Sequence, residues 1–454
     1  MREPLGPVRS IHTWPLDRWS LLYGNWVLPA AVGLLPVVAI AVPRGLVLLL
    51  VATSLLALPA LFRREDPPWL ACLRLIAGRD PSLLFWLVLG AAWALIACLW
   101  APTIWGAFAL WIRLAAMSLC GLVLLAVTDR LDPPRRERFG SALILGAAVA
   151  LVLGHVVWLS FWLPAVRQGF KLPYDHLFEL NRGVALLAVL AWPALLVLWR
   201  RGQLVGAGVL AFAYLHLLVR TESASAKAAA VAAFAALIAV MVLPRIVPLV
   251  VAGVLATLTL LLPWAFSQLP PVEELVQSFP QLFPSAQHRL YIWQFAVERI
   301  GEHPWLGWGL DASRNLPGGK VRPPVGMEMM PLHPHNNLLQ IRLELGLTGA
   351  AIMAALLARG WSLAARQPDR AAAAVHAAML SGYLVVGLFG YGMWQSWWIA
   401  AAWLSWAVGR ALLPDRPVAD AAATGGMPSP RAGRDRRGRM DHSSGQSDRR
   451  PDGS

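Results

Sequence analysis

Residues 45–62 read GLVLLLVATSLLALPALF, bracketed by Arg44 on one side and by Arg63 and Arg64 on the other. No charge interrupts the run, and no polar–apolar alternation marks a strand. A helix rises 1.5 Å per residue, so such a run approaches the roughly 30 Å hydrocarbon thickness of a bilayer. A membrane barrel strand would be about ten residues of alternating character. Working outward, eleven further continuous Leu/Ala/Val-rich runs fall near 21–42, 82–101, 105–127, 140–162, 183–200, 203–219, 227–243, 246–267, 337–357, 371–391 and 394–413. The chain is therefore expected to be all-α, a polytopic bundle of about 12 transmembrane helices. The first run lacks a small-residue cleavage site and is long for a signal-peptide core, so it is expected to be retained.

Composition leads to the same class. Of 454 residues 57% are hydrophobic and 14% charged, and mean hydropathy is +0.56; a soluble domain carries about 25% charged residues. A soluble enzyme, a disordered scaffold and a secreted disulfide module are excluded. Cys72, Cys98 and Cys120 lie in or beside apolar stretches, in odd number and without a CxxC, which disfavours a disulfide framework or structural zinc.

Positive charge sets the expected orientation. With residues 1–20 in the cytoplasm, 26 Lys and Arg fall on the cytoplasmic side and 11 on the opposite side, while Arg113 and Arg342 lie inside spans. Without the C-terminal tail the bias is still 17 to 11. Both termini are expected on the cytoplasmic side of the membrane. The net charge of +14 thus reflects topology and a basic tail, and no nucleic-acid partner is expected. The tail, 414–454, is rich in Pro, Gly, Ser, Asp and Arg and is expected to be a disordered cytoplasmic segment. It is either a solvated tail or one whose arginines touch anionic headgroups of membrane lipids.

Most connections are short. One, residues 268–336, separates nine spans (21–267) from three (337–413) and is expected on the external face. A connection this long inside a compact membrane protein is usually functional. It opens with Pro270, Pro271, Pro280 and Pro284, continues through a helical stretch near Ser285–Glu302, and ends in His333-Pro334-His335-Asn336-Asn337. If a helix starts near Asn336, then Asn336, Gln340 and Glu344 share one face. A polar stripe entering an apolar span should face the protein interior or a wet cavity. His335 would then stand at the helix edge, at the membrane surface.

The run from His333 to Gly349, with Glu344-Leu345-Gly346 inside it, resembles the signature of the O-antigen ligase family, which also contains O-antigen polymerases. Arg289-Leu290-Tyr291-Ile292-Trp293, followed by Pro304-Trp305-Leu306-Gly307-Trp308-Gly309, resembles a second family block. Asn181-Arg182-Gly183 resembles a third and weaker one. The resemblance covers about residues 20–413 and implies a GT-C-like bundle with helices in its periplasmic loop. It implies an inverting, metal-independent glycosyltransferase that moves a glycan from undecaprenyl diphosphate to a sugar hydroxyl of lipid A–core. His335 is then the catalytic histidine, and Arg182 and Arg289 bind the donor diphosphate. The alternative within the family is an O-antigen polymerase whose acceptor is a second lipid-linked repeat.

Elementary chemistry supports those roles. Arginine presents a planar fork to phosphate oxygens and keeps its charge at any relevant pH. Stabilising charge that grows on a leaving diphosphate accelerates its departure. A neutral imidazole suits removal of a hydroxyl proton near neutral pH. No Asp-x-Asp stands on the external side, so no metal or other cofactor is expected.

Each residue also has an ordinary reading. His335 is otherwise a loop histidine capping a helix, and His333 a positioning or structural group, with half of a metal pair as its other reading. Arg289 is otherwise a surface charge one turn from an interfacial Trp293, and Arg182 a snorkelling arginine. Arg220 and Lys227 flank a stretch where relatives often carry Ser-Arg; here Ala226-Lys227 stands instead, which leaves Lys227 and Arg220 as weak phosphate candidates. Arg113, inside a span, lines a cavity or bonds a carbonyl. Asn336, Asn337, Gln340 and Glu344 are supporting residues. Asp175 and His176 are candidates for touching acceptor sugar, and Trp305 and Trp308 for stacking on it. A different class, a lipid-linked oligosaccharide transporter, would require internal pseudo-symmetry, which the chain lacks.

Overall fold

The computed structural model describes residues 14–61, 80–163, 168, 176–322 and 326–412. Cys72, Asp175, the side chain of His176 and the segment 414–454 lie outside them. All described residues belong to one unit, 1–415.

A helix occupies each of the twelve apolar segments, and no strand occurs among the described residues. In chain order these are α1 (Trp14–Leu22) running through a π turn into α2 (Leu28–Ala41), α3 (Leu46–Leu61), α4 (Pro81–Ala97), α5 (Ile104–Thr128), α6 (Pro133–Trp162), α7 (His176–Arg200), α8 (Leu204–Arg220), α9 (Ala224–Val242) and α10 (Ile246–Ser267). The long connection holds α11 (Val272–Ser278) and α12 (Pro284–Glu302), and α13 (Asn337–Ala365), α14 (Arg370–Phe389) and α15 (Ser396–Leu412) follow. Among the described residues ten helices, with the π and 3-10 turns that extend α2, α3 and α4 counted in, are long and apolar enough to cross a membrane; α8 and α15, of 17 residues each, are shorter. The protein is a polytopic membrane helix bundle.

The starts follow ordinary capping chemistry. Asp80, Asp132, Ser223, Asn336 and Asp369 each accept a backbone N–H of the first turn of α4, α6, α9, α13 and α14. Three boundaries differ from expectation. Asp132 and Pro133 start α6 about two turns before residue 140, converting most of the expected 128–139 loop into helix. α7 begins at His176, so Asn181-Arg182-Gly183 lies within its second turn rather than ahead of the span. α14 stops at Phe389 and α15 starts at Ser396, so the break expected between residues 391 and 394 is widened into a six-residue non-helical turn, 390–395.

α7 is the central helix; most of its spanning portion is buried among α2, α6, α8, α9 and α14. Gly183 permits its approach to α2, because a β-carbon there would fall 2.6 Å from the Ala39 carbonyl oxygen.

The feature that positions the site is a break in α13. Gly346 adopts φ 66°, ψ −163° and interrupts the helix. Backbone groups released inside an apolar bundle are costly unless re-bonded. Here Pro304–Gly309 docks into the break. Trp308 N–H donates to the Leu343 carbonyl (2.9 Å), Gly309 N–H to that of Glu344 (2.9 Å), and Leu347 N–H to that of Pro304 (3.0 Å). The Trp93 indole N–H takes the Leu345 carbonyl at 3.0 Å, and Arg342 Nη1 donates to the Pro304 carbonyl at 3.1 Å. Gly307, at φ 71°, passes so close that a β-carbon would lie 2.5 Å from Glu344 backbone atoms. The Pro-x-x-Gly-x-Gly and Glu-Leu-Gly blocks are therefore two halves of one joint.

This joint makes a prediction. At Gly346 a β-carbon would stand 2.3 Å from the Trp305 carbonyl oxygen at a left-handed φ; at Gly360, on the same helix, it would meet nothing within 4 Å. Gly346→Ala is expected to destabilise the protein by at least about 1–3 kcal/mol from backbone strain alone, read as a lower melting temperature in detergent. Gly360→Ala should be neutral or slightly stabilising. Equal melting temperatures for the two variants would show that the break is not structural.

Candidate functional site

The Asn336 side-chain oxygen caps α13 by accepting the N–H groups of Leu338 (3.0 Å) and Leu339 (3.1 Å). This fixes the residue before it, His335, at the mouth of the helix in a left-handed conformation with φ 52°. Only two non-glycine residues among those described have positive φ, His335 and Asp311, and such strain is held only where surrounding structure imposes it. α12 supplies part of that hold, through the Trp293 indole N–H donating to the Pro334 carbonyl at 2.9 Å. Trp293 is in turn stacked on Phe266 with ring centroids 5.4 Å apart.

The tautomer of His335 follows from its partners. Its Nδ1 lies 2.7 Å from the carbonyl oxygen of Gly390, in the turn between α14 and α15. A carbonyl only accepts, so Nδ1 carries the proton and Nε2 presents its lone pair. No group among the described residues bonds that Nε2. Burial holds the His335 pKa below the usual histidine value; the Gly390 bond opposes this, and the charges of Arg289 and His288 add to it. His335 is thus a neutral imidazole with an open acceptor nitrogen.

His333 plays a supporting part. Its Nδ1 accepts the backbone N–H of His335 at 3.2 Å, and the two rings lie 4.3 Å apart. Burial, with the neighbouring charges of His335 and Arg314, pushes its pKa down to about 3. It stays uncharged across the working pH range and braces the strained backbone beside it.

Below the histidines the polar stripe closes on itself. Glu344 is fully buried, and its carboxylate accepts four hydrogen bonds: Ser313 Oγ (2.5 Å) and Gln340 Nε2 (3.0 Å) on Oε1, Asp311 N–H (2.8 Å) and Trp394 Nε1 (2.6 Å) on Oε2. Gln340 Oε1 accepts the Met393 N–H at 2.8 Å. One carboxylate therefore ties α13 to the 311–315 turn and to the 390–395 turn that holds His335. Asn337 packs its amide against Gly387, and Arg342 turns away to Pro304, separate from Glu344.

The arginines divide. Arg289, half-buried on α12, has no hydrogen-bond or ion-pair partner among the described residues, and its charge acts on His335. A half-buried guanidinium without an anion, beside a neutral imidazole, is an arrangement an anionic ligand would complete. Arg182 on α7 is paired with Glu179, which also faces Arg44 at 4.0 Å. Its charge reaches Tyr391, the residue after the Gly390 carbonyl that orients His335. The charge of Arg182 thus acts on the turn that orients His335, and that of Arg289 on His335 itself. Arg220 instead lies over the Trp158 ring at 5.4 Å, and Lys227 is exposed on α9; nothing in the geometry joins either to His335. Arg113 is exposed on α5, and its charge acts on Asp311. Trp305 is exposed, while Trp308 is engaged with the Arg299 carbonyl through its Nε1 (2.8 Å).

Sequence reasoning missed Gly390, Trp394, Gln395, Ser313, His288 and Ser225. Ser225 Oγ lies 3.3 Å from where a β-carbon of Gly390 would be, and His288 Nε2 donates to the Glu328 carbonyl at 2.7 Å. The only available signal was Gly390-Tyr391-Gly392, two glycines interrupting an apolar stretch.

Residues 187–354 match the family described as O-antigen ligase. Three rickettsial relatives, whose names mark them as candidate polysaccharide ligases, are similar over most of the chain. The protein of Rickettsia conorii is 29% identical over 324 residues, 69% of this chain and 76% of the relative. That of Rickettsia felis is 28% identical over 324 residues, and that of Rickettsia prowazekii 28% over 322, with the same coverage. His335, Arg289 and Glu344 all fall within the matched region. Residues 187–354 are thus similar to the domain described as O-antigen ligase, and the chain around them is similar to relatives named as polysaccharide ligases.

Proposed function

We propose that the protein transfers a glycan from undecaprenyl diphosphate to a sugar hydroxyl of lipid A–core, at the periplasmic face of the bacterial inner membrane. The observation that carries this reading is the tautomer of His335: Nδ1–H fixed on the Gly390 carbonyl, Nε2 open, and an unpartnered Arg289 beside it. The family domain weighs against the transporter reading.

In this reaction His335 Nε2 takes the proton of the acceptor hydroxyl as its oxygen attacks the anomeric carbon. The new C–O bond forms as the bond between that carbon and the diphosphate oxygen breaks, and a single displacement inverts the centre. Arg289 and Arg182 receive the charge growing on the departing diphosphate, which is where fixed cations lower the barrier. Arginine is suited to this because it grips phosphate in a planar fork. The 268–336 connection is then periplasmic and both termini cytoplasmic, in keeping with the distribution of Lys and Arg.

The test is transfer in vitro from purified lipid-linked glycan, offered either lipid A–core or a second lipid-linked repeat. Product on lipid A–core identifies a ligase; elongation of the lipid-linked repeat alone replaces that assignment with a polymerase. His335→Ala is expected to lower turnover about 10²–10⁴-fold while donor still binds, and normal glycan attachment by this variant would remove the base. Arg289→Ala should cost about 10–100-fold in kcat/KM, the worth of a hydrogen bond to a charged group, and Arg289→Lys less. Transfer should survive a strong chelator; restoration by added Mg²⁺ after chelation would refute the metal-free mechanism.

The pH profile follows from the direction of the His335 shift. The base works only when neutral, and burial favours the neutral form. Activity should therefore hold as pH falls through the ordinary histidine value of about 6.5 and drop only below it. An acid limb above that value would contradict the buried, neutral imidazole.

A further inference from the structure

At the end of the bundle opposite His335, the α9–α10 and α13–α14 connections enclose a cavity of about 680 Å³. Its walls carry Arg245, Arg366 and Arg370 and no acidic residue. Elsewhere at this end arginines come with partners. Arg135 pairs with Asp132, Arg200 with Asp369, Arg201 with Glu137, Arg359 with Asp80 and Arg410 with Asp129. Arg136 bonds the Leu131 and Ala411 carbonyls, and Arg138 lies over the Trp26 ring. The three cavity arginines have neither acid nor carbonyl partner among the described residues.

Three like charges converging on one space repel each other. Arg370 is moreover the first residue of α14, where the positive end of the helix dipole opposes its own charge. An anion between them removes both penalties, and guanidiniums match phosphate oxygens in geometry. The rest of the wall is mostly apolar, with Gln367 its other polar residue: Val242, Leu243 and Ile246 are exposed at the mouth, as are the three arginines. Arginines beside apolar side chains, at the ends of membrane-spanning helices, fit a phosphate carrying an acyl chain better than a free anion.

We propose that this cavity binds the phosphate of an anionic phospholipid, held by Arg245, Arg366 and Arg370. The site is separate from the transfer centre and joined to it only through α13 and α14, both of which also carry residues of that centre. Its occupant is a structural lipid that bridges two helix hairpins.

The experiment uses the full chain in detergent, titrated with phosphatidylglycerol, phosphatidylcholine or inorganic phosphate, with melting temperature and lipid retention in native mass spectrometry as readouts. Phosphatidylglycerol should give a saturable rise in melting temperature that the other two do not. Each arginine at an anionic lipid is worth about fivefold, so the triple variant Arg245→Gln, Arg366→Gln, Arg370→Gln should lose on the order of a hundredfold in apparent affinity. Restoring charge as three lysines should recover part of it. An unchanged affinity in the glutamine variant would overturn the site, and an equal rise with inorganic phosphate would overturn the lipid assignment. Because the variant can fail for reasons of folding, a photoactivatable phosphatidylglycerol is applied to the unaltered protein. Cross-links on peptides containing 242–246 or 365–370 support the site, and cross-links confined to other peptides refute it.

Discussion

The structure around the candidate site depends on one buried carboxylate. Glu344 lies wholly inside the bundle, without a counter-cation, under four hydrogen-bond donors drawn from three separate segments. An ionised group in an apolar interior is tolerated only when its acceptor capacity is met. Here that requirement dictates where the segments sit. The 311–315 turn must reach inward through Ser313 and the Asp311 N–H, and the 390–395 turn must present Trp394. Once both are in place, the helix break at Gly346 opens onto Pro304–Gly309, and the Gly390 carbonyl stands beside His335.

That arrangement explains why a membrane enzyme would carry a broken helix at its centre. A continuous α13 would satisfy its own backbone and bind nothing else. The break frees carbonyls, and the connection between α12 and α13 pays for them with its own N–H groups and with the Trp93 indole. The result is an irregular segment held as firmly as a helix, with α12 leaning on it through Trp293. Arg289 projects from the same helix, so a single docking event sets both the imidazole and the unpartnered guanidinium.

Much of this was legible in the sequence, for definable reasons. Apolar runs report spans because lipid enforces both length and composition, and the positions of α3 to α10 followed. The pairing of Gln340 with Glu344 was readable from helical periodicity, since residues four apart share a face. Arg289 and His335 were legible through local motifs. What stayed hidden depends on contacts between distant segments. Gly390 acts through its carbonyl, which every residue possesses, so no side chain advertised it. Trp394 donates its indole N–H to Glu344 across fifty residues, a contact no local pattern announces. The break between α14 and α15 was expected from the end of one apolar run and the start of the next, but not its length or the role of its backbone. Arg220, drawn in by proximity to a motif, lies over the Trp158 ring, because periodicity within one helix says nothing of which neighbour it meets.

The reach of the Gly390 carbonyl has a consequence for how the protein is divided. The region matched to the family ends at residue 354, and it begins after Arg182. The group that decides which nitrogen of His335 is free lies 55 residues beyond that histidine, outside the matched boundary, and one of the two candidate guanidiniums lies just before it. A fragment or chimera cut at those borders would inherit the histidine yet lose the partner that sets its proton. The groups that set this site therefore extend at least from the head of α7 through the turn that precedes α15, together with the Trp93 indole on α4.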